Sequence, residues 1–197
     1  MSEEKPRSRR FVLLDDADGD TVEDFAQQQD WPYLSETAED LDEMLPRHVS
    51  WAIEPSATLH YMEDLISDLN YVMVIADDPG TVRGAVAVIE DGLPVWTLDG
   101  LAADVDALTN PADLALALVR LGMGAPVGYD DRVFRRIRNA MNSEARRVRE
   151  AALWAVTYEA WPDYVGALQD VLSREPDHDL ARTAHALLAE MGAGDGT

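Results

Sequence analysis

Asp15, Asp16, Asp18 and Asp20 crowd one short stretch beside Gly19, a composition suited to holding a divalent cation. A helix–loop–helix calcium site needs acidic ligands at loop positions 1, 3 and 5, glycine at 6 and glutamate at 12. With Gly19 at position 6, Leu14 falls at 1 and Phe25 at 12, so that chemistry is excluded. A looser cation site and a solvated strand-to-helix turn remain, and the turn is the simpler expectation. Other chemistries fail on spacing. His48, His60, His178 and His185 form no metal-binding spacing, and no His-Glu-x-x-His occurs. There is no Gly-x-Ser-x-Gly turn for a nucleophile. Gly122-x-Gly124-x-x-x-Gly128 lacks the spacing of a dinucleotide loop, and with no cysteine neither a thiolate nor a disulfide can form. No catalytic residue, metal or cofactor is therefore expected. An enzyme that uses clustered carboxylates with a divalent cation ranks third among the functions considered.

The carboxylates matter more for where they lie. Over 197 residues, 38 acidic side chains face 16 basic ones, a formal charge of −22. Residues 1–10 carry a net +2, residues 11–109 hold 23 acidic against two basic side chains, and residues 110–197 hold 13 against ten. Salt adaptation would coat both halves evenly, which leaves simple solubilisation or a negative field that steers a basic partner. Phosphate binding by the acidic half is disfavoured, since nucleic acid requires Lys and Arg. Asp15, Asp16, Asp18, Asp20, Glu36, Glu39, Asp40, Asp42 and Glu43 are the candidate steering groups. No apolar run approaches the ~18 residues of a membrane span, and the polar start is unlike a secretory signal. A soluble cytoplasmic protein, monomeric or weakly oligomeric, is the expectation.

The elements that would position these groups change character along the chain. Residues 1–10 read as a flexible tail. Phe11 to Leu14 predicts a strand, Thr21 a capped helix to about Asp30, and Ser35 to Leu45 a helix with Ala38, Leu41, Met44 and Leu45 on one face. Val49, Trp51 and Ile53 alternate as in a strand, residues 58–62 fit strand better than helix, and Tyr71 to Ala76 is a buried strand. Pro79 opens a helix to about Glu90, Pro94 to Trp96 forms a short strand, and Thr97 caps a helix to Leu108. Residues 11–109 thus predict an acidic α+β domain, helices on one face of a three- or four-stranded sheet.

From residue 110 onward the period is helical, with five helices over 112–123, 132–141, 144–160, 164–174 and 178–191. The run from Val148 to Val156 matches Leu180 to Leu188 at an offset of 32. Val133, Ile137, Ala140 and Met141 match Tyr164, Leu168, Val171 and Leu172 at nearly the same offset, and Leu114 to Leu121 is a fainter copy. Such helix pairs must stack to bury their apolar faces. Val148-Arg149-x-x-Ala152-x-x-Ala155, following a shorter helix and an Asn-Ser turn, resembles the second helix of a HEAT repeat, although Ala181 replaces the arginine in the later copy. The resemblance spans residues 110–191 and implies an α-solenoid of the kind that binds proteins or nucleic acids.

On the helical wheel Val148, Ala152, Ala155 and Glu159 share one side, whereas Trp154 and Tyr158 form an off-core stripe. That stripe either packs on a neighbouring element or offers a partner an aromatic anchor. Arg132, Arg135, Arg136, Arg138, Arg146, Arg147 and Arg149 crowd one helix–turn–helix. They form either a basic patch or, as expected here, ion pairs with carboxylates of the acidic domain. Taken together these features predict a non-catalytic, acidic protein-binding module, in its most concrete form an immunity or inhibitor protein that neutralises a basic toxin or nuclease. The alternative is a HEAT-like adaptor whose acidic half only solubilises.

Overall fold

The structure, a computed structural model, describes residues 5–192. The chain divides into two compact units, Met1–Thr97 and Leu98–Thr197. The first runs β1 (Phe11–Val12), α1 (Gly19–Gln28), β2 (Tyr33–Thr37), β3 (His48–Glu54), β4 (Ala57–Asp64), β5 (Leu69–Ala76) and α2 (Pro79–Gly92). Its strands form one five-stranded antiparallel sheet in the order β1-β5-β4-β3-β2. Period-two alternation explains its layering. The register aligns Val49, Tyr61 and Val72 across three strands, and Trp51, Leu59 and Val74 beside them. All six are buried, together with Val22, Phe25 and Ala26 of α1 and Val82, Ala85 and Ile89 of α2. Both helices therefore cover the same face. A Cβ at Gly92 would stand 2.5 Å from the Phe25 ring, so only glycine admits that contact between α2 and α1. The other face is mixed, with His48, Met62 and Tyr71 in one row and Ser50, His60 and Met73 in the next.

Three local expectations change. Of the presumed tail, residues 5–10 run beside β5: Arg7 bridges Ile75, and Ser8 accepts the Val74 N–H through its buried Oγ while its own N–H reaches the Val74 carbonyl. Residues 1–4 lie outside the described residues. The cap of α1 is Asp18, whose carboxylate accepts from the Thr21 N–H while the Thr21 hydroxyl closes the box. The helix expected over 35–45 is absent. Tyr33–Thr37 instead pairs with β3 as an exposed edge strand, and a turn closed by the Asp40–Leu45 bridge follows. Ladder hydrogen bonds to β3 outweighed helix propensity there, since the apolar stripe Leu41, Met44, Leu45 finds nothing to pack on and stays exposed.

The second unit is helical: α3 (Leu98–Ala107), α4 (Pro111–Met123), α5 (Asp131–Ala140), α6 (Arg146–Tyr158), α7 (Tyr164–Arg174) and α8 (His178–Glu190). Successive helices pack as pairs α3 with α4, α5 with α6 and α7 with α8, while α4, α6 and α8 meet in one series and α3, α5 and α7 in another. Of the positions matched in sequence, Val148, Leu180, Ala152 and Ala184 are all buried. Carboxyl or carboxamide caps at Asn110, Asp130 and Asp177 start α4, α5 and α8. Helix α3 counts with this unit, ahead of the composition change at residue 110.

The tightest point is the crossing of α4 and α6. A Cβ on Gly122 would lie 2.6 Å from the Cα, Cβ and carbonyl oxygen of Ala155, against backbone that cannot swing away. Gly166 in α7 is exposed and meets nothing within 4 Å. Gly122→Ala should therefore destabilise the protein by about 1–3 kcal/mol through overpacking. Gly166→Ala should stabilise it by ~0.5–1 kcal/mol through helix propensity. Chemical denaturation of the two variants checks the opposite signs.

Candidate functional site

A turn, a loop and a hairpin converge at one end of the first unit on an open cleft of about 410 Å³. Asp18, Gly19 and Asp20 come from the start of α1, Glu39 and Leu41 from the segment after β2, and Arg47 from the residue before β3. Tyr61, Glu63 and Asp64 come from the end of β4, Leu65 and Asp68 from the following turn, and Asn70 from β5. Arg47 binds the cleft together. Its Nε donates to Glu36 at 2.8 Å and its Nη1 to Glu63 at 3.1 Å, and Glu63 also accepts from the Tyr61 hydroxyl at 2.9 Å. These carboxylates, Glu36 foremost, hold the guanidinium charged, and burial pushes the Tyr61 phenol up. Gly19 leaves room for it, since a Cβ there would sit 2.7 Å from Arg47 Nη1.

One arginine cannot neutralise what surrounds it. The Asp18 carboxyl is held below its ordinary range by the backbone and side-chain hydrogen bonds of Thr21. Asp64 accepts from the N–H groups of Ile66 and Ser67 and from the Ser67 hydroxyl. Asp20, Glu39 and Asp68 meet no cation among the described residues. The site therefore offers fixed negative charge and room beside it, which suits an incoming cationic group.

The carboxylates singled out from the sequence divide. Asp18, Asp20 and Glu39 line the cleft, and Glu36 is clamped by Arg47 next to it. Asp15 and Asp16 are exposed on the preceding turn. Asp40 accepts from the N–H groups of Asp42 and Glu43 and so organises its turn, with Asp42 and Glu43 exposed on it. Arg47, Tyr61, Glu63, Asp64 and Asp68 were not anticipated. Their signal was available in part, because Tyr61 and Glu63 stand two apart on one strand and share a face.

The arginines of the helical unit divide: Arg132 and Arg136 reach carboxylates of the acidic stretch 11–109, as expected, whereas Arg135, Arg146 and Arg149 pair beyond residue 110. Arg132 pairs with Asp99 and Asp130, Arg135 with Asp131, and Arg136 with Asp106. Arg146 pairs with Glu150 and Asp177, and Arg149 makes a two-pronged contact with the buried Glu175, holding that carboxyl below its ordinary range. Arg138 and Arg147 are exposed and have no ion pair among the described residues. Trp154 and Tyr158 are half-buried and bonded to each other, indole Nε1 to phenol oxygen at 3.3 Å. The more exposed aromatic residue is Tyr129, whose ring lies 5.5 Å from Phe134 and 5.6 Å from Trp161.

Two of the histidines do come together. His48 Nε2 and His60 Nδ1 share a hydrogen bond of 2.8 Å on the mixed face of the sheet, and Thr58 Oγ1 stands 2.7 Å from His60 Nε2. Among the described residues no group of three or more His, Asp or Glu side chains is placed to hold a metal ion, and no helix is long and apolar enough to cross a membrane. No family model matches the sequence, and neither a curated protein nor a solved structure matches the chain.

His60 makes stability depend on pH. Burial, and secondarily the charge of His48, lowers its pKa from 6.5 to about 4. The unfolded chain therefore binds this proton first as pH falls, so the stabilisation is complete above about 6.5 and is lost on the way to about 4. Thermal midpoints should fall between pH 7 and pH 5, before most carboxylates titrate. His60→Gln should flatten that slope; an unchanged slope would contradict the assignment.

Proposed function

We propose that this chain is a non-catalytic protein-binding module whose acidic first unit attracts a basic partner, in its most concrete form an immunity or inhibitor protein that neutralises a toxin or nuclease. One observation carries the proposal, the surplus of uncompensated carboxylates around the Arg47 cleft. The first unit holds 22 acidic and six basic side chains, the second 16 and ten. In the second unit most arginines are spent on internal ion pairs, which favours protein over phosphate as the ligand. The helical unit is proposed to be a short HEAT-like array, supported by its helix pairs, its two series of alternate helices and the recurrence of buried positions at an offset of 32.

The adaptor alternative draws on Arg138, Arg147 and Tyr129, exposed groups of the helical unit free to touch a partner there. Kinetics separate the two. The partner retained by the full chain from its native cells is purified, and its association with the chain is measured across a range of salt. Steering by charge requires an association rate that falls on the order of tenfold or more from low to high salt. Reversing Asp16, Asp20, Glu39 and Glu43 to lysine should slow association by a similar factor with little change in dissociation. A salt-independent rate, untouched by the reversal, overturns the steering model in favour of the adaptor.

A further inference from the structure

The carboxylate cleft does not end at its acidic wall. Glu63, Asp64 and Leu65 also line a second, smaller concavity of about 150 Å³, completed by Met44, Pro46, Met62, Ile66 and Tyr71. Its lining is largely apolar and its volume is roughly five times the ~30 Å³ share of one water, enough for one aliphatic side chain. Large apolar side chains stand open at the rim. Met44 is 63% exposed and Ile66 60%, and Leu41, on the cleft side, is 66% exposed. Met44 also holds a left-handed backbone conformation, φ 54°, which a methionine rarely adopts, so the turn displays it at some conformational cost. Water gains nothing from exposed apolar groups around a groove, whereas a partner that covers them does.

We propose that the acidic cleft and the adjoining apolar groove together receive one segment of a partner protein in which a cationic side chain neighbours an aliphatic one. The inference rests on the partner-binding proposal above and narrows it to one locus. Charge complementarity fixes the occupant. Among the described residues Asp20, Glu39 and Asp68 meet no cation, and the two hollows, which lie toward opposite faces of the sheet, share Glu63, Asp64 and Leu65 at the end of β4, so a single segment passing over that strand end would place one side chain in each. A small polycation could fill only the cleft, and a purely apolar segment only the groove.

The full-length chain, labelled with nitrogen-15, is titrated with a short capped peptide carrying arginine next to leucine, and with the same peptide bearing serine for leucine. Backbone amide shifts should cluster at residues 18–20, 39–47 and 61–71. The serine peptide should bind about tenfold or more weakly, the value of burying one leucine. Met44→Ser and Ile66→Ser, both at exposed positions, should reduce the affinity for the leucine peptide to that of the serine peptide and leave the serine peptide unaffected. Equal affinity of the two peptides, or shifts scattered over the acidic surface, overturns the composite site while leaving long-range steering intact. Absence of any shift also overturns it. Self-association in the absence of peptide, abolished by Met44→Ser, would assign the groove to a second copy of the chain and equally overturn the proposal. A salt-independent association with the captured partner would instead defeat the underlying charge model, so the two failures are told apart.

Discussion

The guanidinium of Arg47 is the fixed point on which the acidic end of the first unit depends. It is contacted from two other segments, by Glu36 of β2 and Glu63 of β4, and its approach to α1 is possible only because Gly19 has no side chain. Without that cation Glu36 and Glu63 would face one another as uncompensated carboxylates, although β3 would still pair with both strands. With it, the two strands are held and the remaining charges of Asp18, Asp20, Glu39 and Asp68 are arrayed around a defined hollow. A partly exposed ion pair contributes little to stability on its own. Here its effect is geometric, turning a diffuse excess of charge into a shaped one.

The helical unit treats charge differently. Its arginines reach carboxylates across helix boundaries, Arg136 of α5 to Asp106 of α3 and Arg149 of α6 to Glu175 at the end of α7, so ion pairs tie separate helices together. The Glu175 side chain is largely shielded from solvent and accepts two hydrogen bonds from the Arg149 guanidinium and a third from the Asp177 N–H, so its charge is compensated where it is shielded. Packing does the rest, with backbone-to-backbone approach at Gly122 and Ala155 setting the spacing of α4 and α6. The same residue type thus serves two ends in one chain: arginine gathers carboxylates in the first unit and consumes them in the second.

Strong periodicity was legible from the residues alone. The helices from α4 to α8, the buried strand β5 and the proline-started α2 follow directly from apolar spacing and caps. The segment after residue 33 was not, because Ala38, Leu41, Met44 and Leu45 mimic a helical stripe while the deciding force is pairing with β3, a contact between residues up to 18 apart such as Tyr33 and Trp51. For the site, the carboxylates of the α1 turn were visible as a local cluster. Arg47, Glu63 and Asp68 were not, since only the antiparallel register of β3 and β4 carries them to that cluster. The partners of the arginines were legible in part: Arg132 and Arg136 do meet Asp99 and Asp106 of the acidic stretch, a segment that composition groups with the strands and packing groups with the helices, whereas Arg146 and Arg149 meet Asp177 and Glu175.

The outer strand β2 leaves one margin of the sheet unzipped, with all five of its residues exposed and with Tyr33 and Leu34 among them. An unshielded margin of that kind is a template for chain-to-chain zippering, and natural proteins guard against it with charge. Asp30, Glu36 and Glu39 supply such charge in and beside this strand. Toward the isoelectric point, near pH 4.2, mutual repulsion between molecules lapses. With net repulsion gone, charge no longer opposes pairing along an open strand of this kind.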